Sequence, residues 1–249
     1  MEDEELLRYS RQIMLPDIDI AGQEKLRDAT VLVVGLGGLG SPAALYLAAC
    51  GVGSLVLCDF DTVDLSNLQR QIVHSDARIG TNKAESAKIQ LEQINPHTNI
   101  TTITERLDEK GLSTAILDAD LVLDCTDNFT TRFTINAACW AAHKPLVSGA
   151  AIGWEGHISV FDRNQSGSPC YQCLYQEGDD TNLNCAENGV IAPLVGIIGT
   201  TQAMEAVKVL TGVGESLIGR VLYLDAKYME WRSLKLKPNA ACPCCGGSA

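Results

Sequence analysis

The chain has 249 residues, of which 46% are hydrophobic, so residues 1–249 can form one large domain with a sizeable core. Its 19 basic and 31 acidic side chains give a formal net charge of −12, which argues against binding to a nucleic-acid backbone. The segment MEDEELLRY lacks the basic and apolar regions of a targeting peptide, and no apolar stretch reaches the ~18 residues of a membrane span. We therefore expect a cytoplasmic protein whose cysteines are core residues, metal ligands or reactive thiols rather than disulfides.

The first 29 residues predict a helical arm ahead of the main domain. Within residues 2–14, apolar side chains recur at helical spacing, while Arg8 and Arg11 fall on the polar side. Exposed arginines are ordinary on such a helix, so these residues alone assign neither of them a role.

A glycine-rich turn lies at the centre of the sequence. The apolar run at residues 31–34 predicts a buried parallel strand, and the turn follows it at once. Its glycines fit the pattern G-x-G-x-x-G at Gly35, Gly37 and Gly40. Because glycine has no Cβ, the backbone around Gly37 and Gly38 can approach a phosphate at the start of the next helix. The turn predicts nucleotide binding, and a tight turn without a ligand is the alternative.

Polar residues after the second predicted strand indicate which nucleotide binds. That strand, residues 54–58, ends at Asp59, about 20 residues past the last motif glycine, where a carboxylate commonly binds ribose hydroxyls. The chain then enters the polar loop DTVDLSNLQRQ, which contains Asn67, Arg70 and Gln71. A fixed guanidinium in this loop suits the charge of a triphosphate better than the pyrophosphate of NAD.

Two later segments add candidate site residues. Lys83 opens a predicted helix, and because a lysine there opposes the helix dipole, a bound phosphate explains it better than solvent alone. The predicted strand at 120–124 carries Asp127 to the carboxyl edge of the sheet, where open α/β sheets bind ligands. Asp127 is either a Mg²⁺ ligand or the N-cap of the next helix, and Arg132 faces either the same site or the surface.

The alternation of strands and helices predicts an α/β Rossmann-like fold with a mostly parallel central sheet. Its C-terminal half adds strands that extend the sheet in antiparallel fashion. The predicted elements are strands at 145–151 and 156–161, an apolar helix at 190–210, and strands at 220–225 and 230–236.

Two C-x-x-C pairs predict a metal site. One pair could be a redox motif, whereas two distant pairs match a structural tetrathiolate zinc site. Such a site would fasten the tail at 237–249 to the body of the protein. Its predicted ligands are Cys170, Cys173, Cys242 and Cys245. Cys244 is an additional thiol beside a ligand, so the register of the second pair could differ by one residue.

Together, these motifs resemble those of the MoeB/ThiF/HesA adenylating family, bacterial relatives of the ubiquitin-activating enzymes. The sequences GLGGLG, DFDTVDLSNLQRQ, TNKAESA and DCTDN and both C-x-x-C pairs appear in one order, between RYSRQ and CPCC. The resemblance implies ATP-dependent adenylation of the C-terminal glycine carboxylate of a ubiquitin-like sulfur carrier. It points most closely to the small subunit of molybdopterin synthase, in molybdenum cofactor biosynthesis, with Mg²⁺ and Zn²⁺ as metals.

The resemblance also implies roles for individual residues. The nucleotide ligands would be Gly37, Gly38, Asp59, Asp61, Ser66, Asn67, Arg70, Lys83, Asp127 and Asn128. The catalytic set would be Arg11, Arg70, Lys83, Asp127 and Cys185. Arg11 would reach the ATP of a neighbouring protomer, which implies a homodimer, and Asp127 would carry Mg²⁺. Cys185 occupies the position of the family's crossover-loop cysteine, and its chemical role stays open.

Three alternatives remain at this point. Within the family, the carrier could instead be a ThiS-like protein of thiazole biosynthesis. From another class, the glycine turn could serve an NAD-dependent oxidoreductase, or the chain could be a catalytically silent binding scaffold. The sequence names no sulfur donor, and because no rhodanese domain follows, we expect a separate protein to supply sulfur.

Overall fold

The computed structural model describes residues 1–175 and 189–246. Within them the helices are α1 (Asp3–Arg8), α2 (Ser10–Ile13), α3 (Asp19–Asp28), α4 (Gly40–Ala49), α5 (Lys83–Ile94), α6 (Glu109–Leu117), α7 (Phe129–Ala142), α8 (Tyr171–Leu174) and α9 (Ala192–Thr211). The strands are β1 (Thr30–Val34), β2 (Ser54–Cys58), β3 (Asn99–Ile103), β4 (Leu121–Asp124), β5 (Leu146–Ile152), β6 (Glu155–Phe161), β7 (Arg220–Asp225) and β8 (Glu230–Lys235). None of the described helices is long and apolar enough to cross a membrane.

The strands form one sheet in the order β3-β2-β1-β4-β5-β6-β7-β8. The first five strands in this order are parallel, and β6, β7 and β8 extend them in antiparallel fashion. This confirms the predicted fold class. The chain order reverses beside β1, and ligands of such sheets bind where the order reverses, at the carboxyl ends of the strands. The register places Val34, Cys58 and Asp124 side by side at that edge.

Both faces of the parallel half are covered, which explains its continuous apolar strands. On one face, Val31 and Val33 pack in a core with residues of α4, α5 and α9. On the other face, Leu32 and Val34 pack with residues of α6 and α7. The elements that lead away from the carboxyl edge are therefore held rigidly on both sides.

The N-terminal arm contains α1, α2 and α3 and differs from the prediction at Tyr9, which divides the helix expected at residues 2–14 into α1 and α2. Tyr9 is 4% exposed, and its hydroxyl accepts a hydrogen bond of 2.8 Å from Asn95 Nδ2. Nearby, Gln12 Nε2 donates to the Cys50 carbonyl oxygen at 3.0 Å. The arm is thus fastened to the main body by side chains distant in sequence.

Candidate active site and metal centre

A cavity of about 790 Å³ opens at the carboxyl edge of the parallel strands. It is bounded by the ends of β1, β2 and β4 and by the first residues of α5 and α7. The predicted site residues that line it are Gly37, Gly38, Asp59, Asp61, Arg70, Lys83, Asp127 and Asn128. The structure therefore brings together most of the predicted nucleotide ligands in one space large enough for a nucleotide.

The glycine turn between β1 and α4 is held by close backbone contacts. Gly35 has a φ of +92°, and a Cβ there would lie 2.9 Å from the carbonyl oxygen of Cys125. A Cβ on Gly40 would lie 1.9 Å from the carbonyl oxygen of Gly35, so only glycine allows α4 to start this close to β1. At Gly37 the nearest atom to such a Cβ would be Gln71 Nε2 at 3.5 Å, an ordinary contact distance.

Asp59 fixes one side of this turn. Its Oδ2 accepts a hydrogen bond of 2.7 Å from the Leu36 backbone N–H, and its Oδ1 accepts one of 2.9 Å from the Asp61 N–H. Burial raises the pKa of the Asp59 carboxyl, while these two hydrogen bonds oppose that effect. Carboxylate oxygens accept more than one hydrogen bond each, so Asp59 retains capacity for ribose hydroxyls.

His74 fixes the other side of the turn. Its Nε2 lies 2.9 Å from the carbonyl oxygen of Leu36, and its Nδ1 lies 2.8 Å from Ser86 Oγ. Because a carbonyl only accepts, Nε2 carries the proton and Nδ1 accepts from the serine hydroxyl. Burial lowers the pKa of His74 to about 4, so the ring is neutral at pH 7. His74 therefore ties the glycine turn to α5, which begins with Lys83.

Two cations face the cavity beyond the glycine turn. Lys83 is only 7% exposed, and its Nζ lies 3.1 Å from Asp61 Oδ2. Arg70 is half-buried, and one of its guanidinium nitrogens donates to the Ser66 carbonyl oxygen at 3.1 Å. A buried ammonium and a fixed guanidinium in one cavity suit a ligand with several negative charges.

Asp127 and Asn128 have separate roles at the start of α7. Asn128 is the N-cap, because its Oδ1 accepts a hydrogen bond of 2.9 Å from the Thr131 N–H. The cap leaves the Asp127 carboxylate exposed on the cavity wall. The N-cap alternative for Asp127 is therefore wrong, and its carboxylate can hold a divalent cation.

Arg132, whose direction the sequence left open, points inward. It is 7% exposed, and its guanidinium donates to the carbonyl oxygens of Thr126 and, at 3.2 Å, Gly149. Arg132 lines the main cavity and also an adjoining one of about 100 Å³, which contains His157. Burial lowers the pKa of His157 to about 3, and the Arg132 charge adds to this effect. The helix pattern alone could not show that Arg132 is buried.

Other predicted site residues lie elsewhere. Arg11 is exposed on α2 and does not line this cavity. Ser66 and Asn67 form a 3₁₀ turn capped by Asp64, outside the cavity lining. Cys185 lies outside the described residues. The catalytic or binding roles of these four residues stay predictions.

The four predicted metal ligands form a compact sulfur cluster in which all Sγ atoms lie within 4.8 Å of one another. Cys170 and Cys242 Sγ are 3.5 Å apart, and Cys173 and Cys245 Sγ are 3.3 Å apart. Disulfide sulfurs would be about 2.05 Å apart. Tetrahedral zinc with Zn–S bonds of about 2.3 Å places its sulfurs about 3.8 Å apart, so the four side chains fit one metal ion.

Cys244 lies beside the cluster, next to Cys170, and is also held by a group outside the cluster. Asn136 Nδ2 on α7 donates to Cys244 Sγ at 3.3 Å, while Asn136 Oδ1 accepts from the Tyr171 N–H at 2.8 Å. Asn136 is 1% exposed and therefore links both cysteine-bearing segments to α7. No sequence pattern indicates this link, because Asn136 is one polar residue among the mixed apolar and polar residues of α7.

The fold and cavity define a class: an α/β protein whose sheet presents a glycine turn, several cations and several aspartates to a nucleotide-sized space. The chain belongs to the ThiF family, whose profile matches residues 9–244. The predicted family resemblance is thus confirmed.

Individual relatives cover the whole chain. It is 53% identical over 246 residues to the molybdopterin-synthase adenylyltransferase of Escherichia coli strain K12, across 99% of this chain and 98% of that protein. It is 47% identical over 248 residues to the sulfur carrier protein ThiS adenylyltransferase of the same strain, across 100% and 98%. Among solved structures, E. coli MccB with MccA-N7isoASN has a TM-score of 0.84 at 23% identity, across 97% of this chain and 74% of that chain. This last likeness shows the fold.

Proposed function

We propose that this protein uses ATP to adenylate the C-terminal glycine carboxylate of a ubiquitin-like sulfur carrier. The observation that supports this most is the single cavity in which the glycine turn, Lys83, Arg70 and Asp127 converge. The 53% identity to a molybdopterin-synthase adenylyltransferase favours the small subunit of molybdopterin synthase as carrier, in molybdenum cofactor biosynthesis. The 47% identity to a ThiS adenylyltransferase makes a thiazole-pathway carrier the second candidate.

The proposed reaction requires little acid–base chemistry. A carboxylate oxygen of the carrier attacks the α-phosphorus of ATP, and the bond from that phosphorus to the α,β-bridging oxygen breaks. Pyrophosphate leaves with the bonding electrons, and the carrier becomes an acyl-adenylate. Because no proton is transferred, the protein mainly positions the reactants and neutralises charge.

Different cavity residues position the reactants and neutralise charge. Backbone N–H groups at Gly37 and Gly38 hold the phosphates, and Asp59 binds the ribose. Arg70 and Lys83 offset the charge that develops on pyrophosphate. Asp127 holds Mg²⁺, which supplies further positive charge to the phosphates when bound.

The cysteine cluster has a structural part in the proposal. Four thiolates are the donor set of closed zinc sites, which keep no coordination position for a substrate. Zinc at Cys170, Cys173, Cys242 and Cys245 therefore holds the C-terminal tail against α7 and takes no part in the reaction.

We place the reaction in the cytoplasm, with a separate protein as the sulfur donor.

Isotope exchange between pyrophosphate and ATP tests the activity directly. Exchange is expected with a molybdopterin-synthase small subunit or a ThiS-like carrier, and the faster carrier identifies the pathway. A carrier that lacks its last glycine is the control and should give no exchange. Titration calorimetry should also show MgATP binding and no useful NADH affinity. Absence of exchange with both carriers, or tighter binding of NADH than of ATP, would overturn the proposal.

The proposal includes a homodimer in which Arg11 completes the partner's site. Arg11 is exposed and lies outside its own chain's cavity lining, which supports a role towards another chain. Exposed apolar side chains on the same arm, Leu7 at 77% and Met14 at 69%, support burial against a second copy.

Subunit mixing tests this composite site. Arg11→Ala should lose activity roughly 30- to 1,000-fold, because it removes a charge-assisted phosphate contact. Asp127→Ala should also be inactive, because it removes the carboxylate that would hold Mg²⁺. In a mixed dimer one site has both residues intact, while the other carries both lesions. Random exchange of equal amounts makes half the dimers mixed, so activity should return towards a quarter of wild type. If Arg11 served its own chain, the mixture would stay inactive despite demonstrated subunit exchange.

A further inference from the structure

Gln71 has a buried side chain whose polar groups are not used by the protein. It is 4% exposed and lines the main cavity, yet its Oε1 is buried without a hydrogen-bond partner among the described residues. Its backbone is fixed, because its N–H donates to Asn67 O at 3.0 Å and its carbonyl accepts from the His74 N–H at 3.1 Å. The backbone of Gln71 is therefore fixed, while no hydrogen bond from the described residues to its side chain compensates for burying the amide.

Two other buried glutamines form side-chain hydrogen bonds, which makes the unpaired amide of Gln71 unusual. Gln23 Nε2 donates to the Cys50 carbonyl oxygen at 2.9 Å, and Gln202 Nε2 donates to the Asp124 carbonyl oxygen at 2.8 Å. Buried polar groups in folded proteins are almost always paired, because an unpaired one has lost its hydration without replacement. An unpaired amide on the wall of a binding cavity is explained when a ligand pairs with it.

The position of the amide shows which part of a nucleotide it would meet. Gln71 Nε2 lies 3.5 Å from where a Cβ of Gly37 would be, so the amide runs along the glycine turn. The turn presents its N–H groups to phosphate at the start of α4, and Asp59 lies on the adjoining wall. Lys83 and Arg70 lie in the same cavity and are suited to the more distant phosphates.

We propose that Gln71 is a nucleotide ligand, whose side-chain amide binds the ribose and α-phosphate of ATP where they cross Gly37. This inference rests on the proposed function. An amide offers N–H donors to a phosphate oxygen and a carbonyl acceptor to a ribose hydroxyl. The terminal torsion of glutamine is soft, so the group turns between these partners at little cost.

Three variants test the inference by calorimetry with ATP and AMP. Gln71→Leu removes both hydrogen-bonding groups and should weaken binding of each nucleotide about 10-fold. Gln71→Glu keeps the shape but places a negative charge beside the phosphates, so the loss should be about 100-fold. Gln93→Glu adds the same charge at an exposed position on α5 and should change affinity less than about 2-fold.

Thermal denaturation separates ligand binding from a structural role. Because Gln71 makes no side-chain hydrogen bond in the described structure, ligand-free Gln71→Leu should melt at or above the wild-type temperature. The rise in melting temperature caused by ATP should be smaller in this variant than in wild type. A ligand-free variant that melts several degrees lower would assign Gln71 a structural role and overturn the inference.

The outcomes also separate this inference from the proposed function. Wild-type protein that binds neither ATP nor AMP would overturn both. Wild-type protein that binds ATP, together with a folded Gln71→Leu variant of unchanged affinity, would overturn only the role of Gln71. Loss of ATP affinity with unchanged AMP affinity would place the contact at the distant phosphates and also overturn it.

Discussion

The reaction cavity and the cysteine cluster are both built from distant segments, but they are assembled in different ways. At the cavity, the register of parallel strands brings the ends of β1, β2 and β4 to one edge, and the groups there stay apart around an open space. At the cluster, four sulfurs within 4.8 Å of one another join residues 170–173 to residues 242–245. A sheet can place groups so that a ligand fits between them, whereas a metal can fasten a tail that lies beyond the last strand.

This difference predicts two kinds of mutational effect. Cavity side chains act on ligands, so their loss should lower affinity or rate while the fold persists. Cluster side chains hold chain segments together, so their loss should lower stability while nucleotide affinity persists. Lys83→Met and Cys242→Ser test the two sides of this division, and two further variants sharpen it.

The largest expected effect is on rate, from Lys83→Met. Removing this 7% exposed cation should lower pyrophosphate exchange by roughly 100- to 1,000-fold, because phosphate charge is no longer offset. Its partner Asp61 is 53% exposed, so water can solvate the carboxylate and the melting temperature should change little. Lys88→Met, on the same helix but outside the cavity lining and with its side chain 34% exposed, is the matched control. Normal exchange in a folded Lys83→Met protein would place the catalytic charge elsewhere.

The second largest expected effect is a loss of stability, and Cys242→Ser tests it. The variant should lose its zinc, measured by metal analysis, and melt at least about 6 °C lower, because ~1 kcal/mol corresponds to about 2–4 °C at this size. Its affinity for ATP should stay within about 3-fold of wild type. Cys244→Ser, which alters the thiol held by Asn136, should keep its metal. Full zinc occupancy in Cys242→Ser would show that the ligand set is wrong.

A pH-dependent effect on stability is expected from His74, whose ring is hydrogen-bonded to the Leu36 carbonyl in the glycine turn. Its pKa is about 4 in the folded protein and about 6.5 in the unfolded chain, so the unfolded state binds more protons between these values. The contribution of neutral His74 is therefore complete above pH 6.5 and declines as pH falls towards 4. It should amount to about 2 kcal/mol between pH 6.5 and 5.

Denaturant unfolding at several pH values measures this contribution. The free energy of unfolding of His74→Gln should fall less steeply from pH 6.5 to 5 than that of wild type. His143→Gln, at an exposed position, is the surface control. Identical slopes for wild type and His74→Gln would mean that the ring takes up its proton without unfolding.

The smallest effect is expected from Cys185→Ala. In-line attack at phosphorus needs no enzyme nucleophile, so pyrophosphate exchange should stay within about 2-fold of wild type. A defect should appear only in a later sulfur-transfer assay with a donor protein. If a correctly folded variant lost exchange, Cys185 would have to act in the adenylation step itself.

Much of the parallel half could be predicted because its strands are buried on both faces and read as apolar runs. The second strand was predicted at residues 54–58 and lies at Ser54–Cys58. The glycine turn and Asp59 were also predictable, since backbone approach and ribose binding require these residue types at fixed spacing. Both features depend on local sequence, which explains why they were recognised.

Features that depend on contacts between distant residues were not predictable in the same way. Tyr9 lies between α1 and α2, and its hydroxyl accepts a hydrogen bond from Asn95 that no local pattern encodes. Arg132 is buried where its guanidinium donates to the carbonyls of Thr126 and Gly149, which lie outside its own helix. Gln71 stands in a polar loop, and only its packing along Gly37 shows that its amide is buried.

Mutations at different glycines of the glycine turn should have different effects. A methyl group on Gly40 would lie 1.9 Å from the Gly35 carbonyl oxygen, so any substitution there should destabilise the fold itself. A methyl on Gly37 would meet only Gln71, at 3.5 Å and greater distances, and the chain there needs no left-handed conformation. Folding thus leaves position 37 open to alanine, so any effect of Gly37→Ala should fall on nucleotide binding rather than on the fold. Within one short turn, Gly40 is therefore a test of folding and Gly37 a test of binding.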